Sequence, residues 1–189
     1  TDYQVPIIID TASLISSGKL LSNCNDIRFT SSNGSTLLNY WIESGCTTSS
    51  TKIWVKIPSM STGTNTIYLY YSNSLALSES NGTNTFDFFE DFETYTLNQT
   101  IIGQNGWFNG YGSNNQNMLV TNDYTAHGSQ SLRGLSSVTS RQDAEKSMNI
   151  NYDATVEFSI RTTKATSTTY DWVYYNFYAA PSGSITSIM

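Results

Sequence analysis

CNDIRFTSSNGSTLLNYWIESGC, residues Cys24 to Cys46, holds two strand-like runs, the turn signal Asn33-Gly34 and both cysteines of the chain. Asn-Gly between apolar-rich runs favours a tight turn with φ > 0 at both central residues, the geometry that suits hairpin twist. A β-hairpin formed by residues 27–30 and 36–43 is therefore expected. The cysteines are open to three readings: a disulfide, a metal pair or two core thiols. A zinc site wants four ligands, and with one histidine and no further cysteine the disulfide is preferred. Closing such a loop stabilises a fold by about 3 kcal/mol in the chain-entropy model, and it implies an oxidising compartment.

Outward from this unit, short strands recur. Residues 4–10, QVPIIID, read as a strand whose Pro6 cannot donate to a ladder, so that the strand lies at a sheet edge or begins there. Asp10 is positioned to cap a short helix in TASLISSGK, with Gly18 to end it. In TKIWVKIP (51–58), Ile53, Val55 and Ile57 alternate with Lys52, Trp54 and Lys56, the period-two pattern of a half-buried strand. NTIYLYY (65–71) repeats it, with Ile67 and Leu69 set against Tyr68 and Tyr70. Five short strands separated by polar turns suggest an antiparallel sandwich. The polar stretch 72–85 reads as a boundary between modules. Beyond it, strand candidates fall at 118–121, 130–135, 155–161 and 171–178.

The chain has 189 residues, 38% hydrophobic and 13% aromatic, enough for a core of its own. Charged residues make up only 13%, so Ser, Thr, Asn and Gly build the surface, as in secreted β-proteins. A net charge of −6 excludes the basic stripe that nucleic-acid binding requires. No apolar run is long enough for a membrane span, and no signal peptide is visible, which reads as a mature or cropped segment. Asn33, Asn81 and Asn98 each open an N-x-S/T sequon and are candidate glycosylation sites, in keeping with an extracellular or cell-surface location.

The blocks DIRF (26–29), YWIESGC (40–46) and KIWVK (52–56), in order after DYQVPIIID, resemble the domain of unknown function 2341 of bacterial and archaeal surface proteins over residues 1–85. Members of that family carry a further strand before the segment matching Asp2. The resemblance thus implies either a sequence that begins partway into the fold or a sheet edge beside residues 4–10 filled from elsewhere. FEDFE, NGW, DYTAHGSQSLRG and TVEFSIRTT resemble the opening half of a concanavalin A-like, laminin G-like lectin sandwich over residues 86–189. Together these imply an all-β chain of two antiparallel, jelly-roll-like sandwiches in tandem, with one short helix in the first and the second incomplete.

Candidate chemistry follows from three places. In DFFEDFE (87–93), strand alternation would put Asp87, Phe89, Asp91 and Glu93 on one face and Phe88, Glu90 and Phe92 on the other. Phe89 stands where a lectin-like glucanase would have its first glutamate, which argues against hydrolysis. Asp91 and Glu93 are instead candidate ligands of a structural calcium, since hard cations take carboxylates. His127, with Ser129 and Asp123 near it, lacks a partner pattern for catalysis and reads as a loop residue. Trp107 and Tyr111 lie in a Gly/Asn-rich loop, and Trp172 and Tyr174 share a strand parity. Rings beside amides suit sugars, so all four are candidate carbohydrate-binding residues, with Trp107 alternatively an anchor under its own loop. The expectation is a non-enzymatic structural or adhesive surface protein, its partners glycans or neighbouring copies joined by strand addition. A glycan-active enzyme is the alternative.

Overall fold

The computed structural model describes residues 2–43, 45–109, 118–134, 142–148, 150 and 154–161, and the backbone of 175–178 and 185–188. These are mostly strands with two short helices, an all-β class. The chain divides into two units, Thr1–Thr155 and Val156–Met189.

The first unit opens with β1 (Tyr3–Ile9), α1 (Thr11–Ser16), β2 (Arg28–Thr30), β3 (Leu37–Leu38), β4 (Tyr40–Ile42), β5 (Thr51–Ile57), β6 (Tyr68–Tyr70) and α2 (Gly82–Thr85). Two three-stranded antiparallel sheets result, ordered β1-β5-β4 and β3-β2-β6. Their inward residues share one core: Tyr40, Ile53 and Val55 from the first sheet, Phe29 and Leu38 from the second, with Leu20, Cys24 and Ile27 between. Alternation in β5 is as the sequence implies, Ile53 and Val55 fully buried and Lys52, Trp54 and Lys56 on the other face. In β6, Leu69 packs on the core while Tyr68 and Tyr70 are exposed. Asp10 caps α1 by accepting from the Ser13 N–H at 3.0 Å, and Gly18 follows in the left-handed region at φ 69°.

The central hairpin departs from expectation in two ways. Only Leu37 and Leu38 pair with β2, as Thr30↔Leu37 and Phe29↔Leu38; the chain then crosses at Asn39, and β4 joins β5 in the opposite sheet. Burial of Tyr40, whose hydroxyl donates to the Ile27 carbonyl at 2.8 Å, draws the strand across the core. The turn itself has φ > 0 at Gly34 alone, and the Asn33 side chain supplies the rest, its Oδ1 accepting from the N–H groups of Ser35 and Thr36. A turn with both central residues at positive φ occurs instead at Asn105 and Gly106, 40° and 81°, where the Trp107 N–H donates to the Gln104 carbonyl. Cys24 and Cys46 form a disulfide, Cα–Cα 5.9 Å, so the loop it closes contains strands of both sheets.

Among the described residues β1 pairs only with β5, and Pro6 lies opposite Trp54. Lys56 donates its N–H toward the β4 side and Lys52 offers its carbonyl there. Ile53 and Val55 therefore serve β1 through Ile7 and Val5, which turns the backbone of Gln4, Pro6 and Ile8 outward. The opposite edge of this sheet is covered: Ser80 bridges Tyr40, and the Asn81 N–H donates to the Tyr40 carbonyl. The stretch from Ser72 to Thr85 is fastened to the same core, the Ser72 N–H donating to Asp26 and Arg28 to the Leu77 carbonyl.

Further along the first unit, β7 (Trp107–Phe108) pairs with β10 (Glu145–Lys146), and β8 (Leu119–Thr121) with β9 (Ser131–Arg133), around a second core of Tyr95, Ile101 and Val120. Residues 87–93 form no strand, yet their two faces separate as alternation implies: Phe89 packs toward Trp41, while Phe92 packs on the second core. The second unit holds the antiparallel pair β11 (Tyr175–Tyr178) and β12 (Ile185–Ile188), with Tyr175 opposite Ile188. Residues 155–161, expected as a strand, carry none. Among the described residues after Thr85, the expected second sandwich is represented by these two-stranded pairings and an isolated antiparallel bridge of Thr100 with Leu119 beside β8.

Candidate functional site: an acidic cleft over Trp41

The outer face of the first sheet is aromatic. Trp41 of β4 lies directly opposite Trp54 of β5, and Phe86 meets both edge-on at 5.8 and 5.5 Å. Phe89 reaches Trp41 at 4.9 Å and stacks on Phe86. Such contacts contribute about 0.5–1.5 kcal/mol each beyond area burial. The cluster depends on Gly82, because a Cβ there would run into the tip of the Phe89 ring.

Beside this cluster opens a cleft of about 490 Å³, lined by Trp41, Ile42 and Glu43 of the β4 segment, Gly45, Asp91, Glu93, and the loop Ala126, His127, Gly128. His127 packs edge-on against Trp41 at 5.6 Å. Glu43 is fixed by its β5 neighbours, 2.8 Å from Lys52 Nζ and accepting from Trp54 Nε1. Burial pushes its carboxyl up, but the bonds from Lys52 and Trp54, with the charges of Lys52 and His127, outweigh that and hold it below its ordinary value. Glu93 accepts from the Ser129 and Gln130 N–H groups, both at 2.7 Å, and from Ser129 Oγ at 2.6 Å. Here too burial raises the acid and the hydrogen bonds prevail, leaving it lowered. Asp91 Oδ1 accepts from the Glu93 N–H at 3.2 Å.

Asp91 and Glu93, the expected calcium ligands, thus stand side by side in the lining. The Glu93 oxygens are committed to protein donors, and among the described residues no three of His, Cys, Asp and Glu are grouped to hold a metal ion. Ser129 and Asp123, near His127 in sequence, are directed elsewhere: Ser129 to Glu93, Asp123 to Arg133.

Trp107 sits at the second core instead of in a free loop. Its Nε1 donates to Tyr95 Oη at 3.0 Å and lies 3.3 Å from Glu90 Oε2, while the ring packs on Phe92. Lys146 completes this knot, 2.7 Å from Glu90 and 3.1 Å from Tyr95 Oη, with its Nζ over the rings of Phe88, Tyr95 and Trp107. Burial draws the Lys146 ammonium down, but the bonds to Glu90 and Tyr95 leave it raised. Tyr111, Trp172 and Tyr174 lie outside the described residues. The sequon residues Asn33, Asn81 and Asn98 are all exposed; Asn33 and Asn81 also do structural work, in the turn and as the cap of α2. Trp41, Glu43 and His127 carried no site reading in the sequence. Trp41 belongs to a strand block and His127 to a loop far along the chain, and only packing joins them.

Residues 23–109 match a family model described as Domain of unknown function (DUF2341). That match takes in the central disulfide unit, the aromatic cluster and Trp107. No match to a concanavalin A-like or laminin G-like module accompanies it. Searches of the curated proteins and of the solved structures found no match.

Proposed function

We propose that this chain is a structural and adhesive module of an extracellular surface protein, joined to neighbouring copies by strand addition at β1. The observation that carries this reading is the open edge. Gln4 and Ile8 present outward N–H groups, and Gln4, Pro6 and Ile8 present outward carbonyls, while the far edge of the same sheet is closed by Ser80 and Asn81. An incoming strand would pair on either side of Pro6, which offers a carbonyl but no donor. The Cys24–Cys46 disulfide and the exposed sequons suit an oxidising setting, and no helix among the described residues is long and apolar enough to cross a membrane.

The experiment is sedimentation and negative-stain imaging of the oxidised chain over a concentration series. Assembly is expected, and Ile8→Pro should suppress it by removing an outward donor while leaving the β5 ladder intact. A monomer at every concentration would overturn the reading, as would assembly indifferent to Ile8→Pro.

A further inference from the structure

The cleft over Trp41 combines apolar, carboxylate and imidazole groups. Its volume, about 490 Å³, falls in the range of small-ligand sites. Trp41 and Ile42 give it an apolar part, and Gly45 and Gly128 line it without side chains of their own. Two side chains in the lining keep bonding capacity. Beyond the Glu93 N–H, Asp91 has no hydrogen-bond partner among the described residues, and the His127 ring nitrogens make no hydrogen bond there, the ring packing on Trp41 and acting electrostatically on Glu43.

Two ligand classes are disfavoured by the same lining. Anions meet Glu43, Asp91 and Glu93. A divalent cation finds no grouped set of three ligands among the described residues. An organic cation is attracted by the carboxylates, of which Lys52 offsets only Glu43 at 2.8 Å, and it serves as the charged control below. A neutral ligand that donates to a carboxylate, exchanges a hydrogen bond with an imidazole and lays an apolar face on an aromatic ring uses every part of the lining.

We propose that the cleft binds a neutral saccharide, its ring face on Trp41 and its hydroxyls on Asp91 and His127. Asp91 accepts from two neighbouring hydroxyls, and His127 serves as donor through one nitrogen and acceptor through the other. Glu43 and Glu93, ionised and held by their own partners, shape the walls without moving. This deepens the adhesive side of the function proposed above and rests on it, by assigning a contact site separate from the β1 edge.

The test titrates the 189-residue chain with cellotriose, maltotriose and chitotriose, followed by tryptophan fluorescence and ligand-observed NMR, with butylammonium as the charged control. At least one trisaccharide is expected to saturate at about millimolar concentration. Asp91→Asn, whose carbonyl still accepts the Glu93 N–H, should weaken binding about tenfold or more with an unchanged unfolding midpoint, and His127→Ala should weaken it as much while lowering the midpoint only by the lost ring contact with Trp41. Saturation by none of the three sugars, binding of butylammonium alone, or binding that survives both substitutions would overturn the proposal. A chain that assembles yet binds no sugar would overturn this inference and leave strand addition standing.

Discussion

At Gly82 the aromatic cluster meets the backbone with no room for a methyl group, since a Cβ there would overlap the Phe89 ring. Gly82→Ala must expel that ring from Trp41 and Phe86 or shift α2, which overpacking data put at about 1–3 kcal/mol. A lower urea midpoint with an altered tryptophan spectrum is expected. An unchanged midpoint would mean that the cluster is not needed for stability. Glu93 yields a prediction in pH. Its folded pKa is lowered below the ordinary 4.5, so its contribution is fully present above that value and is lost as pH falls through the folded pKa. Glu43 acts in the same direction. Midpoints measured from pH 7 downward should hold level and then fall below about 4.5, and Glu93→Gln should flatten that fall while costing about 1 kcal/mol at neutral pH after solvent screening. A steeper acid limb in the variant would contradict this assignment.

Among the elements, β2, β3 and β4 show how far local reading reaches. An Asn-Gly signal announced a hairpin, and β2 and β3 do pair across it. The signal could not reveal that Asn33 would work through its side chain, nor that the chain would leave the hairpin at Asn39, because both depend on where Tyr40 finds space. The disulfide therefore restrains more than a hairpin: it holds together a loop that visits both sheets, with Cys24 inside the core. Its reduction should cost about 3 kcal/mol, seen as a drop in urea midpoint on adding reductant that a Cys24→Ala, Cys46→Ala double variant does not repeat. Equal midpoints with and without reductant would remove the disulfide from the stabilising set. β1 was legible in more detail. Pro6 alone marked it as an edge, because a residue without an N–H leaves a ladder bond unmade anywhere else.

For the whole molecule, the sequence by itself determined the class: period-two alternation in Thr51–Ile57 and around Leu69, an edge at Pro6, a disulfide from two cysteines without other metal ligands, and a surface poor in charge. It could do so because each of these signals is local, resting on the strand repeat or on the covalent nature of one residue. The expectation of a second, incomplete sandwich rested on likeness in short blocks, and the described residues after Thr85 hold two-stranded pairings and an isolated bridge between Thr100 and Leu119. Only the tertiary structure decided that residues 87–93 lie between two cores without joining a sheet. It alone withdrew Trp107 into a knot with Glu90, Tyr95 and Lys146, and brought His127 onto Trp41 beside Glu43, Asp91 and Glu93. The physical reason is common to all three. Burial of aromatic rings and pairing of carboxylates are satisfied by whichever partners the packed chain brings near, and separation along the chain does not say which those are.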